Sequence, residues 1–162
     1  MKSPRALAAA VTAAVALLIS GCGTADTAAV VDGRTISESG VLRASAQIAD
    51  YAQRAMPARD IVNRLVVLPT VLEVLGERGV TVSDAAARSA VAGIGDPAPY
   101  LVDLAKLDLA IGEMTQEDMM EVTGRLADLD VEVNPRYGTF NPQQASIEAT
   151  VPDWLTTSDA DL

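Results

Sequence analysis

The chain has 162 residues, room for one domain and little more. Hydrophobic residues make up 49% of it but aromatics only 3%, so the core is built from Ala, Val, Leu, Ile and Met, which suits packed helices better than an aromatic-rich sandwich. The formal charge of −10 speaks against nucleic acid and against electrostatic adhesion to anionic lipid, and the lack of histidine excludes a Ser-His-Asp or Cys-His site within the chain.

Lys2 and Arg5 make a short basic start. Ala6 to Ile19 is then small or apolar, broken only by Thr12. This run falls short of the roughly 20 residues that a transmembrane helix needs, and it has the length of a secretory signal core. Ile19-Ser20-Gly21-Cys22 follows and resembles the lipobox of bacterial lipoproteins: an aliphatic residue, two small residues, then the cysteine that receives lipid. The expectation is a lipoprotein signal peptide over 1–21, with Ile19, Ser20 and Gly21 recognised by the signal peptidase and Cys22 lipidated. Removing 1–21 takes away two basic side chains and deepens the charge to −12. Residues 22–27 then form the lipidated cysteine and a polar tether. A tether of that length spans at most ~20 Å and holds the domain close to the outer face of the cytoplasmic membrane.

Ala28 to Val31 reads as a short strand, and Asp32-Gly33 as a turn with positive φ. Ser37 is placed to cap a first helix running to about Arg54, with Glu38 in its first turn. Val41, Ser45, Ile48 and Ala52 share one side of that helix, with Leu42, Ala49 and Met56 beside them; Gly40 weakens its start. Ile61 to Leu75 is the densest apolar stretch of the mature chain, with ten of fifteen residues Ile, Val or Leu. As a helix it aligns Asn63, Thr70 and Glu77 in one polar stripe. Pro69 cannot donate to the carbonyl of Leu65, so a kink or a split near Leu68 is expected. Gly79 is placed for a left-handed cap.

Ser83 caps a third, small-residue-rich helix, and Gly93 to Pro97 breaks the chain. Gly93 and Gly95 do not make a phosphate loop, because no further glycine or Lys-Ser/Thr pair follows at the required spacing. Tyr100, Leu104, Leu107, Ile111 and Met114 form a helical stripe. Thr115 caps the next helix, with Asp118 three residues on, and Met119, Val122, Leu126 and Leu129 continue the spacing. Val131 and Val133 alternate with acidic residues as a half-buried strand. A lone strand is not stable, so residues 28–32 are expected to pair with 130–134 and bring the two ends of the domain together. The fold class is mainly α: four to five packed helices with a short two-stranded sheet.

The opening AAVVDGRTISESGV resembles the start of the SurA N-terminal domain, found in SurA-type and PrsA-type foldases. The apolar central helix and the following Glu77-Arg78-Gly79-Val80-Thr81-Val82-Ser83-Asp84 resemble the same domain further on. Val131 to Phe140 resembles the closing strand of lipoproteins of this type in high-GC Gram-positive bacteria. The resemblance covers 28–141 and leaves 142–162 as a polar C-terminal tail. It implies an extracytoplasmic chaperone that holds unfolded secreted polypeptides in an exposed apolar cleft. Many relatives also carry a parvulin-type isomerase domain. Here helices account for 84–130, leaving it no room, and the histidine that parvulin sites typically use is missing, so isomerase activity is not carried over.

Met56, Met114, Met119 and Met120 stand between two readings, core filling and contact with clients, since methionine adapts to varied partners. Met120 is expected to face out, because Met119 lies on the apolar stripe. Trp154 and Tyr137, the latter in the NPRYG segment, are candidates for docking a partner; the alternatives are a tryptophan folded back on its own domain and a plain strand-ending turn. Asp128, Asp130 and Glu132 do not make an EF-hand, because the positions requiring glycine and glutamate hold Val133 and Thr139. No cofactor, metal or catalytic residue is expected. Two functions remain in view: a lipid-anchored holding chaperone, or a scaffold lipoprotein dedicated to one envelope partner.

Overall fold

The computed structural model describes residues 26–149. The fold is mainly α. Strands β1 (Thr27–Val31) and β2 (Arg34–Ser37) are followed by helices α1 (Glu38–Ala52), α2 (Ala58–Glu77), α3 (Asp84–Ala90), α4 (Pro99–Glu113) and α5 (Gln116–Leu126). Strands β3 (Val131–Val133), β4 (Thr139–Asn141) and β5 (Ser146–Glu148) complete the described chain.

The ends of the domain meet as expected. β1 pairs antiparallel with β3, setting Ala29 opposite Val133 and Val31 opposite Val131. The sheet is larger than the expected two strands. β2 folds back on β1 across Asp32-Gly33, giving the order β2-β1-β3. Both turn residues have positive φ, which is what a tight hairpin turn matching strand twist requires. A separate β4–β5 hairpin straddles the expected end of the domain at 141, with β5 beyond it. Its Ile147 is buried in the main core, so the folded body continues through 148.

Helix α2 is the axis of the molecule. It packs against α1, α4 and α5, and nine of its residues are buried. Pro69 neither splits it nor ends it: α2 is one helix from Ala58 to Glu77. The missing bond to Leu65 is offset by burial on either side of the proline, at Leu65, Val66, Leu68 and Val71. Thr70 of the supposed polar stripe is buried, while Asn63 is half-buried and donates from Nδ2 to the Ala145 carbonyl at 3.1 Å, holding the β4–β5 hairpin on α2. At its C-terminus, Gly79 N–H donates to Gly76 and Val80 N–H to Leu75, the paired bonds of a Schellman cap.

Two clusters divide the core along α2. Ile61, Val62, Leu65 and Val66 pack with Ala28, Ala29, Val31, Ile36, Tyr137 and Ile147 at the sheet end. Leu68, Val71, Val74 and Leu75 pack with Leu107, Ala110, Val122 and Leu126 at the α5 end. Two expected stripes hold in part: Val41 is buried and Ile48 packs on the core from α1, and Leu104 and Leu107 are buried on α4. On α1 the buried residues are Val41 and Ala44, and Leu42 is exposed, because the helix packs through one narrow side. On α4 the buried residues include Leu101, Val102 and Ala105, and Ile111 is exposed. The short α3 meets α4 through Val102, Ala105 and Lys106, all before that position.

Candidate functional site

The first turn of α5 is fixed by a capping box. Thr115 Oγ1 accepts from the Asp118 N–H at 3.3 Å, and Asp118 Oδ2 accepts from the Thr115 N–H at 2.6 Å. Arg78, the C-cap of α2, pairs with Asp118 and also reaches Thr115 Oγ1 and the Glu113 carbonyl, each at 3.3 Å. Asp118 is only 2% exposed. The Thr115 backbone and hydroxyl donors, then Arg78, hold its carboxyl below the usual carboxylate range.

A second polar contact holds the other end. Arg125 on α5 reaches Glu73 at 3.2 Å and Glu77 at 2.5 Å, both on α2, and Glu121 on its own helix. Hydrogen bonds to Glu77 and Glu121 raise the Arg125 pKa, and the bond from Arg125 lowers that of Glu77. Between these contacts Val122 and Leu126 enter the core. Helix α5 therefore lies on α2 with its opposite face outward.

That face carries Gln116, Met119, Met120 and Thr123, at helical positions i, i+3, i+4 and i+7. Together they form an open patch on the outer face of the helix. Met119 is 50% exposed and Met120 72%. The expected outward direction of Met120 holds. The placement of Met119 on the buried stripe is corrected: Asp118 takes the inward position, because its capping and ion-pair partners lie beneath it.

The four methionines do not form one surface. Met56 is half-buried against the sheet-end cluster, and Met114 half-buried against the α5-end cluster. Tyr137, a docking candidate, is 8% exposed and part of the sheet-end core, where burial raises its pKa. Trp154, Cys22, Ile19, Ser20 and Gly21 lie outside the described residues. Asp128, Asp130 and Glu132 are exposed, and no metal-holding group of three acidic, Cys or His side chains occurs among the described residues. No helix among them is long and apolar enough to cross a membrane.

Sequence reasoning missed the Arg78–Asp118 pair, although Thr115-x-x-Asp118 was visible as a cap. The signal for the pairing was the lone Arg78 at the end of the apolar helix. It also missed the Arg125 bridge to Glu73 and Glu77, which spans two helices and leaves no local spacing to read.

Searches against family models, curated proteins and solved structures gave no match. The fold and the exposed α5 face therefore define this molecule as a mainly α domain with an outward methionine surface.

Proposed function

We infer that the protein is a lipid-anchored, extracytoplasmic chaperone-like factor that holds unfolded secreted polypeptides and has no isomerase or other catalytic activity. The observation that carries the reading is the outward pair Met119 and Met120 on a helix fixed to the core. Exposed methionines give a soft, adaptable surface for apolar segments of varied sequence. The resemblance of 28–141 to the SurA N-terminal domain supports the same reading. The lipobox ending at Cys22 supports a site of action on the outer face of the cytoplasmic membrane, and the acidic surface would keep a protein–client complex soluble.

The test is light scattering of an aggregating secreted protein with and without the purified chain. Slowed aggregation that is lost in Met119→Ser/Met120→Ser is the expected result. Unchanged aggregation in the presence of the native protein overturns the reading.

One observation favours a second reading, a scaffold for a single envelope partner. The exposed large apolar side chains are dispersed, with Leu42 and Tyr51 on α1, Leu109 and Ile111 on α4, and the methionines on α5. A scaffold requires one complex of fixed stoichiometry and no response to unfolded chains.

A further inference from the structure

We propose that the segment following Ala149 docks on the outer face of the β2-β1-β3 sheet, with the Trp154 indole over Val30 and Pro135. The inference does not depend on the reading of α5 as the client surface.

The sheet has one covered face and one open face. Along β1, Ala29 and Val31 point into the core, and Val30 between them points outward and is half-buried. Val30 stands in register with Thr35 on β2 and Glu132 on β3. These three side chains and Pro135 line a depression. Every residue around it belongs to the three strands or to the turn after β3. Among the described residues, therefore, no helix and no part of the β4–β5 hairpin covers it.

The chain leaves the folded body beside this face. The hairpin residue Ala145 packs with the α5-end cluster, and β5 runs from there toward the sheet end. Ala149 lies against Gly138: a Cβ on that glycine would be 3.3 Å from the Ala149 Cα. Gly138 is in turn tied to the rim of the depression. The Tyr137 N–H donates to the Asn134 carbonyl at 2.9 Å, and Gly138 is at most ~11 Å from Pro135 along the chain. Residues 150–154 span up to ~17 Å, which brings the indole within reach of Val30.

Trp154 also suits the site chemically. Its indole is a large apolar body with one N–H donor that needs an acceptor when covered. Val30 and Pro135 offer the apolar contact. Glu132 offers the acceptor, because its exposed carboxylate has no hydrogen bond or ion pair among the described residues.

Trp154 is the one tryptophan of the chain, so its fluorescence reports its own surroundings. The experiment compares the full chain with a synthetic peptide of residues 150–162. The full chain is expected to show blue-shifted emission and acrylamide quenching about threefold weaker than the peptide. Thr35 is exposed, and Thr35→Glu sets a second carboxylate beside Glu132 and against the incoming Asp153. That variant should bring both readings to those of the peptide while the far-UV circular dichroism stays unchanged. Peptide-like emission from the native chain overturns the proposal, and so does a shielded tryptophan indifferent to Thr35→Glu. Shielding lost in Met120→Ser but kept in Thr35→Glu would seat the segment on the α5 patch instead. Shielding that vanishes on dilution would assign the sheet face to a second copy of this chain. Either result overturns the proposal.

Discussion

The two ends of α2 are finished differently. At the sheet end the helix is covered by β1, β2, Tyr137 and the β4–β5 hairpin, and the chain's own ends supply that cover. At the α5 end two helices close the core, α4 with Leu107 and Ala110 and α5 with Val122 and Leu126, and the outer face of α5 keeps Met119 and Met120 in solvent. Both ends bury Val, Leu and Ile from the same helix. What separates them is the kind of cover. The sheet end is closed largely by strands and by the chain's own ends. The α5 end is closed by helices, each of which has a far side in solvent, and two methionines stand on that of α5.

This contrast is broken most directly through the core. Leu126 is fully buried beneath α5, and Leu126→Ala should cost about 3 kcal/mol in urea unfolding while loosening α5 and weakening client binding. At the other end, Gly138 has φ of 119°, and a Cβ there would overlap the Glu148 carbonyl. Gly138→Ala should cost about 2 kcal/mol, measured the same way, and leave binding at α5 unchanged. Equal loss of binding from both variants would merge the two ends into one functional unit.

Removing the α5 cap is a milder change. Thr115→Ala should cost about 1 kcal/mol. The Asp118 carboxyl is held low in the folded state, so its stabilising contribution is present at neutral pH and is lost as pH falls below the usual carboxylate range. Acid titration of unfolding should show that loss in the native protein and a smaller one in Thr115→Ala. A smaller effect still is expected at Asp103, half-buried on α4, whose pKa burial raises. Its folded form holds a proton more tightly than the unfolded form, so stability falls as pH rises from 3.8 through the folded value. Asp103→Asn should remove that fall and leave the neutral protein slightly more stable. At the bottom of the scale, Met120→Ser should change stability by no more than about 0.5 kcal/mol, because the side chain is outside the core.

Much of the sheet end was legible from short-range pattern. The Asp32-Gly33 turn, the Ser37 cap and the alternation at Val131 and Val133 each have a local cause, and the need of a lone strand for a partner joined them. The β4–β5 hairpin was not legible, because three-residue strands carry little periodicity and Ile147 stood alone in a polar stretch. Gly40 read as a weakness at the start of α1. Its role is spatial: a Cβ there would lie 2.6 Å from Tyr100, whose hydroxyl accepts from the Ser37 N–H. At the α5 end, Thr115 and the apolar spacing revealed the helix but gave Met119 the wrong side. Hydrophobicity placed it inward, and the paired charge of Asp118 and Arg78 took that position instead.

The central proposal is that α5 presents the client surface. It is tested most directly by photocrosslinking in cells, from a probe at position 120 of the protein and a matched probe at exposed position 42 on α1. The account predicts crosslinks from 120 to many unrelated secreted chains, increasing under unfolding stress, and few from 42. Equal yields from both positions, or a single unvarying partner at 120, would contradict it.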